Sequence, residues 1–126
     1  MPGHEMALEL LQMAKSDLKA IEHMLDPEAF DDGVFGFHAQ QAVEKSLKAW
    51  LNILGRPHPF AHDLSLLLHE LRRQGAGVEQ YWRFLDLSGY AVRFRYETLP
   101  DGEEPLDRED LVQNVRGLIN HVERLI

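Results

Sequence analysis

The sequence contains no cysteine. Disulfide bonds, thiolate catalysis and zinc sites built on Cys ligands are therefore excluded. No apolar run approaches the roughly 20 residues that span a bilayer. The first ten residues, MPGHEMALEL, lack a basic segment followed by an apolar one, so we expect a cytoplasmic location. The sequence also has no Gly-rich phosphate-binding loop and no serine nucleophile elbow, which removes two common classes of enzyme.

Cations are scarce: 13 Lys and Arg residues stand against 21 Asp and Glu residues, and the net charge is -8. Because nonspecific nucleic-acid binding depends on neutralising phosphates, a general polyanion binder is disfavoured. Acidic residues crowd the stretch from Glu97 to Asp110, whereas five arginines fall within 24 residues. These are Arg72, Arg73, Arg83, Arg93 and Arg95. This asymmetry favours a specific anionic partner.

The chain of 126 residues, with 44% hydrophobic and 27% charged residues, has the size and composition of one soluble globular domain spanning residues 1–126. Apolar residues recur at helical spacing along it, and no strand pattern or internal repeat competes. The spacing predicts helices over about Glu5–Leu25, Val34–Leu54, Leu64–Arg73 and Val78–Tyr96, and a last helix after Asp107. Such helices must pack on each other, so we expect an all-α, four- to five-helix up-down bundle.

Residues with capping and stopping chemistry separate these segments. Asp63 and Asp107 are placed to cap the third and last helices, and Asp110 completes a variant of the capping box. Gly55 and Gly75 fit helix ends. The helix boundaries are therefore predicted independently of the apolar spacing.

The second predicted helix carries a polar stripe within an arc of roughly 80°, at about 100° per residue. Its members are His38, Gln41, Lys45 and Lys48. Four apolar residues point the opposite way, toward the bundle: Val43, Leu47, Trp50 and Leu54. The stripe is either ordinary solvated surface or a contact surface for phosphate or a base edge, because ammonium, carboxamide and imidazole groups all supply suitable donors.

A second polar cluster lies in the fourth predicted helix and comprises Tyr90, Arg93, Arg95 and Tyr96. Aromatic rings and guanidinium groups suit stacking on a base and bidentate pairing with phosphate. Alternatively, Arg95 pairs with a carboxylate of its own bundle, such as Glu97, and Tyr96 packs in the core. The sequence leaves both interpretations open.

Residues 37–49 read FHAQQAVEKSLKA, HDL follows at residues 62–64, and Arg95-Tyr96 comes later. Together these elements resemble the HEPN domains, small prokaryotic helical bundles, and the resemblance covers most of the chain. It implies a helical bundle, and it places His62 in the HDL element, where we expect it to orient the loop and contribute to ligand binding. Related chains commonly have Pro after the Arg-Tyr pair, where this sequence has Glu97.

Many HEPN proteins are metal-independent ribonucleases with an Arg, four to six residues and a His. Two places fit: Arg56 with His62, in a proline-containing loop, and Arg116 with His121, on the last helix. Gly117 follows the second Arg, no Tyr stands two residues after His121, and a straight helix places that pair about 140° apart. If either pair is catalytic, a ribose 2′-hydroxyl attacks the adjacent phosphate, with His as acid or base and Arg holding the phosphoryl oxygens.

Three functional hypotheses follow from the resemblance. The leading one is a noncatalytic or weakly catalytic domain that binds a nucleotide or RNA, beside a separate small nucleotidyltransferase, in some cases as a toxin and antitoxin pair. The second is an endoribonuclease toxin that uses Arg116 and His121. The third is a structural dimer module. Homodimerisation is an expectation of the family, no cofactor is expected, and a metal site at His58, His62 and His69 is disfavoured because no carboxylate completes it.

Overall fold

The computed structural model describes residues 2–56, 58, 63–90 and 106–126. Its elements are α1 (Pro2–Glu22), α2 (Asp32–Ile53), α3 (Leu64–Arg73), a 3-10 helix (Glu79–Leu87) and α4 (Arg108–Arg124). Every regular element in these ranges is helical. The all-α bundle predicted from the spacing is therefore confirmed. No helix in the described ranges has the length and hydropathy needed to cross a membrane.

Aspartate caps fix where three of the helices begin. Asp31 accepts a hydrogen bond from the Val34 N–H, Asp63 from the Ser65 N–H, and Asp107 from the Asp110 N–H. Each bond satisfies an N–H that has no partner within its helix. The caps predicted at Asp63 and Asp107 are thus confirmed.

Helix α2 is the central element of the bundle. Helix α1 packs antiparallel to α2. Gly3, at the start of α1, lies beside Asn52 near the end of α2, and Asp17, further along α1, binds Lys45, which precedes Asn52 on α2. Buried residues occupy most of its circumference, and the largest are Phe35, Leu47, Trp50 and Leu51. Because α1, α3, α4 and the 3-10 helix all pack on α2, its polar side chains are drawn into the interior with its apolar ones.

The Arg108 side chain joins the start of α4 to the loop between α1 and α2. Its guanidinium donates to the carbonyls of Met24, at 2.6 Å, and Phe30, at 2.7 Å, and to Asp32 Oδ1, at 2.8 Å. It also lies 5.0 Å from the centre of the Phe35 ring. With 6% of its surface exposed, this cation is almost fully buried and fully paired. It therefore holds together two segments that are distant in sequence.

The structure corrects the fourth predicted helix. Within its described part, residues 78–90, the segment Glu79–Leu87 is a 3-10 helix and not an α-helix, and residues 91–96 lie outside the described residues. Tyr81, Phe84 and Leu87 are its buried side chains. Their spacing of three residues matches the three residues per turn of a 3-10 helix, which places all three on one face. Packing against the bundle thus favours the tighter helix.

Four predicted boundaries also shift. Helix α1 begins at Pro2 instead of Glu5, and α2 begins at Asp32 instead of Val34. Helix α1 ends at Glu22, three residues before the predicted Leu25, and α2 ends at Ile53. Leu54, which we expected to point into the bundle, is 42% exposed because it lies beyond the last helical turn, next to Gly55 at φ 79°. The sequence pattern extended the apolar face by one residue too many.

Candidate functional site

The polar stripe of α2 divides in the structure into two neutralised groups. In the first, His38 and Lys45 share one carboxylate of α1: His38 Nδ1 lies 3.1 Å from Asp17 Oδ1, and Lys45 Nζ donates to Asp17 Oδ2 at 2.7 Å. A carboxylate can only accept, so the His38 Nδ1 carries the hydrogen of this bond. These side chains are less than a third exposed. Their contacts join α1 to α2.

The second group is a buried chain of polar side chains that follows the helix. Gln41 donates to the Gln40 carboxamide oxygen at 2.8 Å, and Gln40 donates to Glu44 Oε1 at 3.0 Å. Lys48 Nζ then donates to Glu44 Oε2 at 3.2 Å. Glu44 is 3% exposed and Lys48 is 9% exposed. Buried charges of this kind persist because each has a partner.

His58 extends this buried chain past the end of α2. Its Nδ1 accepts a hydrogen bond from Asn52 Nδ2 at 2.7 Å, and the same amide donates to the Lys48 carbonyl at 2.8 Å. Burial lowers the pKa of the His58 imidazole, the Lys48 ammonium lowers it further, and Glu44 opposes them. The lowered pKa and the accepting Nδ1 both indicate a neutral ring at pH 7.

The cations predicted on the stripe are therefore engaged within the bundle. The structure brings His38 and Lys45 together on Asp17, and Gln41 and Lys48 together through Gln40 and Glu44. Moving either lysine to a ligand phosphate would break its ion pair with a mostly buried carboxylate, Asp17 or Glu44, and such a loss is costly.

Other predicted residues lie outside the described residues: His62, Arg93, Arg95 and Tyr96. Tyr90, which precedes them, is 8% exposed, and its ring lies on the backbone of Gly36. Of the histidines weighed as metal ligands, His58 binds Asn52, and the His69 ring stands 5.1 Å from the Trp82 ring. No metal-binding group of His, Asp and Glu occurs among residues with described positions.

The structure places Arg116 and His121 on different sides of α4. Arg116 Nη2 donates to Glu22 Oε2 of α1 at 2.7 Å, and both side chains are exposed. The His121 ring faces α2 and the 3-10 helix, 4.9 Å from the Trp50 ring and 6.1 Å from the Tyr81 ring. This separation follows from the angle of about 140° between the two positions on a helix.

His121 instead lines an open cleft of about 340 Å³ between the 3-10 helix and α4. We call it the guanidinium cleft, because Arg83 and Arg124 lie on its two sides. The carboxamides of Gln80, Gln113 and Asn114 also line it. In the described part of the chain neither Arg83 nor Arg124 has an ion-pair partner, and no carboxylate belongs to the lining. Among the described residues, the cleft therefore holds two arginines without a carboxylate partner, in a chain of net charge -8.

Tyr81 forms the floor of the cleft together with Phe84. Their rings are stacked, with centres 6.2 Å apart and planes 9° from parallel. Burial raises the pKa of the Tyr81 phenol, while a hydrogen bond with Gln80 and the charge of Arg124 oppose the rise. The phenol stays neutral at pH 7 and supplies a donor without adding negative charge.

The sequence interpretation named His121, and Arg83 as one of five clustered arginines, but missed Arg124 and the amides. A signal was present: Gln113, Gly117, His121 and Arg124 fall within about 80° of each other on α4. The opposite wall could not be found in this way. Arg83 lies on the 3-10 helix, and which side of that helix faces α4 depends on packing.

A model of the HEPN domain matches residues 7–125, which is nearly the whole chain. No curated protein and no solved structure gives a significant match. The match agrees with the all-helical architecture described above. The chain therefore belongs to the HEPN domain family.

Proposed function

We propose that this HEPN domain binds a nucleotide or RNA in the guanidinium cleft and contributes binding rather than chemistry. One observation carries the proposal. Arg83 and Arg124 face a common cleft whose described lining holds no carboxylate, although acidic residues outnumber basic ones in the chain. Unpaired guanidinium groups in a concave site match the phosphates of a nucleotide, which they bind through two parallel hydrogen bonds.

The pairing of the α2 lysines supports this choice of site. Lys45 and Lys48 already hold Asp17 and Glu44, whereas the cleft arginines have no such partner in the described residues. Binding phosphate at the cleft therefore breaks no buried ion pair. The polar residues of α2 then act on the fold, by fixing α1 against α2, and not on the ligand directly.

Arg93, Arg95, Tyr96 and His62 remain predicted ligand-binding residues. They lie outside the described residues, so they add to the proposal only what the family resemblance and their chemistry supply. The same resemblance supports a partner: a separate small nucleotidyltransferase, with the two chains acting in some cases as toxin and antitoxin. Any transfer chemistry then belongs to the other chain, and a homodimer of this chain is the expected assembly.

The test is a thermal-shift titration of the full chain with ATP, other nucleotides and short RNA. A ligand that binds the folded state alone raises the melting temperature by mass action. We expect Arg83→Gln and Arg124→Gln each to weaken binding about tenfold, the loss of about 1.4 kcal/mol expected for one charged hydrogen bond.

Arg72→Gln provides the matched control. Arg72 is also an exposed arginine without an ion pair among the described contacts, but it lies on α3 and does not line the cleft. Equal loss of binding in all three variants would show a diffuse charge effect and remove the proposed site. No shift with any ligand would favour the structural dimer module.

A second candidate function, RNA cleavage, is favoured by the position of His121 at the edge of the same cleft. The ring could act as acid or base on a ribose hydroxyl whose phosphate lies between the cleft arginines. Arg116 contributes to such a reaction only if it leaves Glu22. Loss of RNA cleavage in His121→Ala with an unchanged melting temperature would support the nuclease; unchanged cleavage in both His121→Ala and His62→Ala would remove it.

A further inference from the structure

We infer that the guanidinium cleft recognises a terminal phosphomonoester on a single nucleotide unit, either a free mononucleotide or the phosphorylated end of an RNA. The inference rests on the proposed function, since it specifies which phosphate the cleft binds. Three features of the described cleft support it: its charge, its size and the kinds of side chain that surround the two arginines.

The charge of the cleft matches a phosphomonoester better than an internal phosphodiester. Arg83 and Arg124 supply two fixed positive charges, and no described lining residue offsets them. A phosphomonoester carries about -1.5 to -2 at pH 7 and offers three acceptor oxygens. An internal diester carries a single negative charge and leaves one guanidinium uncompensated. The two guanidinium groups therefore match the charge of a phosphomonoester more closely than the charge of an internal diester.

The net charge of the chain disfavours binding of a long RNA along the protein surface. The total is -8, so an RNA that extends beyond the cleft meets a protein that carries more carboxylates than cations overall. Charges within a Debye length of about 8 Å at physiological salt repel each other without strong screening. Each additional diester thus gains little, and the phosphate in the cleft must supply most of the affinity.

The size of the cleft limits its occupant to about one nucleotide. Its volume of about 340 Å³ lies at the small end of the range of roughly 300–1,000 Å³ for ligand sites. Gln80 and Gln113 each offer a donor and an acceptor to a base edge, a pairing that Gln and Asn make with adenine. Asn114 also lines the cleft, with one N–H already donated to Asp110 at 3.0 Å.

The experiment is a calorimetric titration of the full chain with adenosine, 5′-AMP, 3′-AMP and the dinucleoside monophosphate ApA, which contains only an internal diester. A short RNA is titrated with and without a terminal phosphate. We expect at least one AMP isomer, or the phosphorylated RNA, to bind about tenfold or more tightly than its unphosphorylated counterpart. Arg83→Gln and Arg124→Gln should remove that preference, and Arg72→Gln should keep it.

The outcomes separate the two proposals. Tight binding of AMP alone identifies a free mononucleotide, and tight binding of phosphorylated RNA alone identifies an RNA end; either supports the inference. If ApA or unphosphorylated RNA binds as tightly as the phosphorylated ligands, the inference fails while the proposed function stands. If no nucleotide or RNA binds, the proposed function fails with it.

Discussion

The ring of Tyr90 lies directly on the backbone of Gly36: a Cβ added to this glycine would overlap Tyr90 Cδ1. Gly36 is in the first half of α2, and Tyr90 immediately precedes the segment that carries Arg93 and Arg95. Glycine normally weakens a helix interior by about 1 kcal/mol relative to alanine. Here it allows a close approach of ring to backbone that any side chain would prevent.

We expect Gly36→Ala to lower the free energy of unfolding by about 1–3 kcal/mol, the usual cost of overpacking, despite the better helix propensity of alanine. Chemical denaturation measures the change. Gly117→Ala is the matched control, because it is also a glycine in a helix but nothing lies within 4 Å of its added Cβ. We expect that variant to gain up to about 1 kcal/mol. A stabilised Gly36→Ala would show that Tyr90 does not pack there.

Two arginines of α4 should differ sharply in their contribution to stability. Arg108 is 6% exposed and binds three acceptors in and next to the loop between α1 and α2, whereas Arg116 makes one exposed ion pair with Glu22. Removing one partner of a buried pair costs about 3–5 kcal/mol, while an exposed pair contributes about 0–1 kcal/mol. We therefore expect Arg108→Met to lower the free energy of unfolding several times more than Arg116→Met, as measured by urea denaturation. Equal effects would contradict the buried, multiply hydrogen-bonded position of the Arg108 guanidinium.

A substitution in α2 should lower stability without changing ligand affinity, and a substitution in the cleft should lower ligand affinity without changing stability. Lys45→Met removes the 2.7 Å bond to Asp17, and we expect it to lower the free energy of unfolding by about 1.5–3 kcal/mol, the range for hydrogen bonds to charged groups. Its nucleotide affinity should equal that of the wild type. Arg124→Gln should show the reverse, with weaker binding and unchanged stability. If Lys45→Met folds normally but loses nucleotide binding, the ligand site lies on α2 and not in the guanidinium cleft.

Features that depend only on nearby residues could be predicted from the sequence. The aspartate caps and the positive-φ glycines act on their own helix ends, so spacing alone locates them. Arg108 shows the limit: its acceptors lie 76 to 84 residues earlier, and an Arg in the first turn of a helix carries no local sign of burial. Asp17 likewise neutralises Lys45 from 28 residues away. The stripe of α2 was located correctly, but its partners depend on tertiary packing.

The pKa of His58 predicts how stability changes at mildly acidic pH. Burial and the Lys48 ammonium lower this pKa below the ordinary value of 6.5, so the folded state favours the neutral ring. A lowered pKa in the folded state gives stability that is fully present above about pH 6.5 and is lost as the pH falls through the folded-state pKa. Protonation also removes the acceptor for Asn52 and places a second cation near Lys48.

We therefore expect the difference in free energy of unfolding between the wild type and His58→Gln to be larger at pH 7.5 than at pH 5. Urea denaturation of both proteins at the two pH values measures it. Because His58 is only partly buried, the pH-dependent change should be modest. A difference that grows as the pH falls would mean that the folded state favours the protonated ring, which would contradict an Nδ1 that accepts from Asn52.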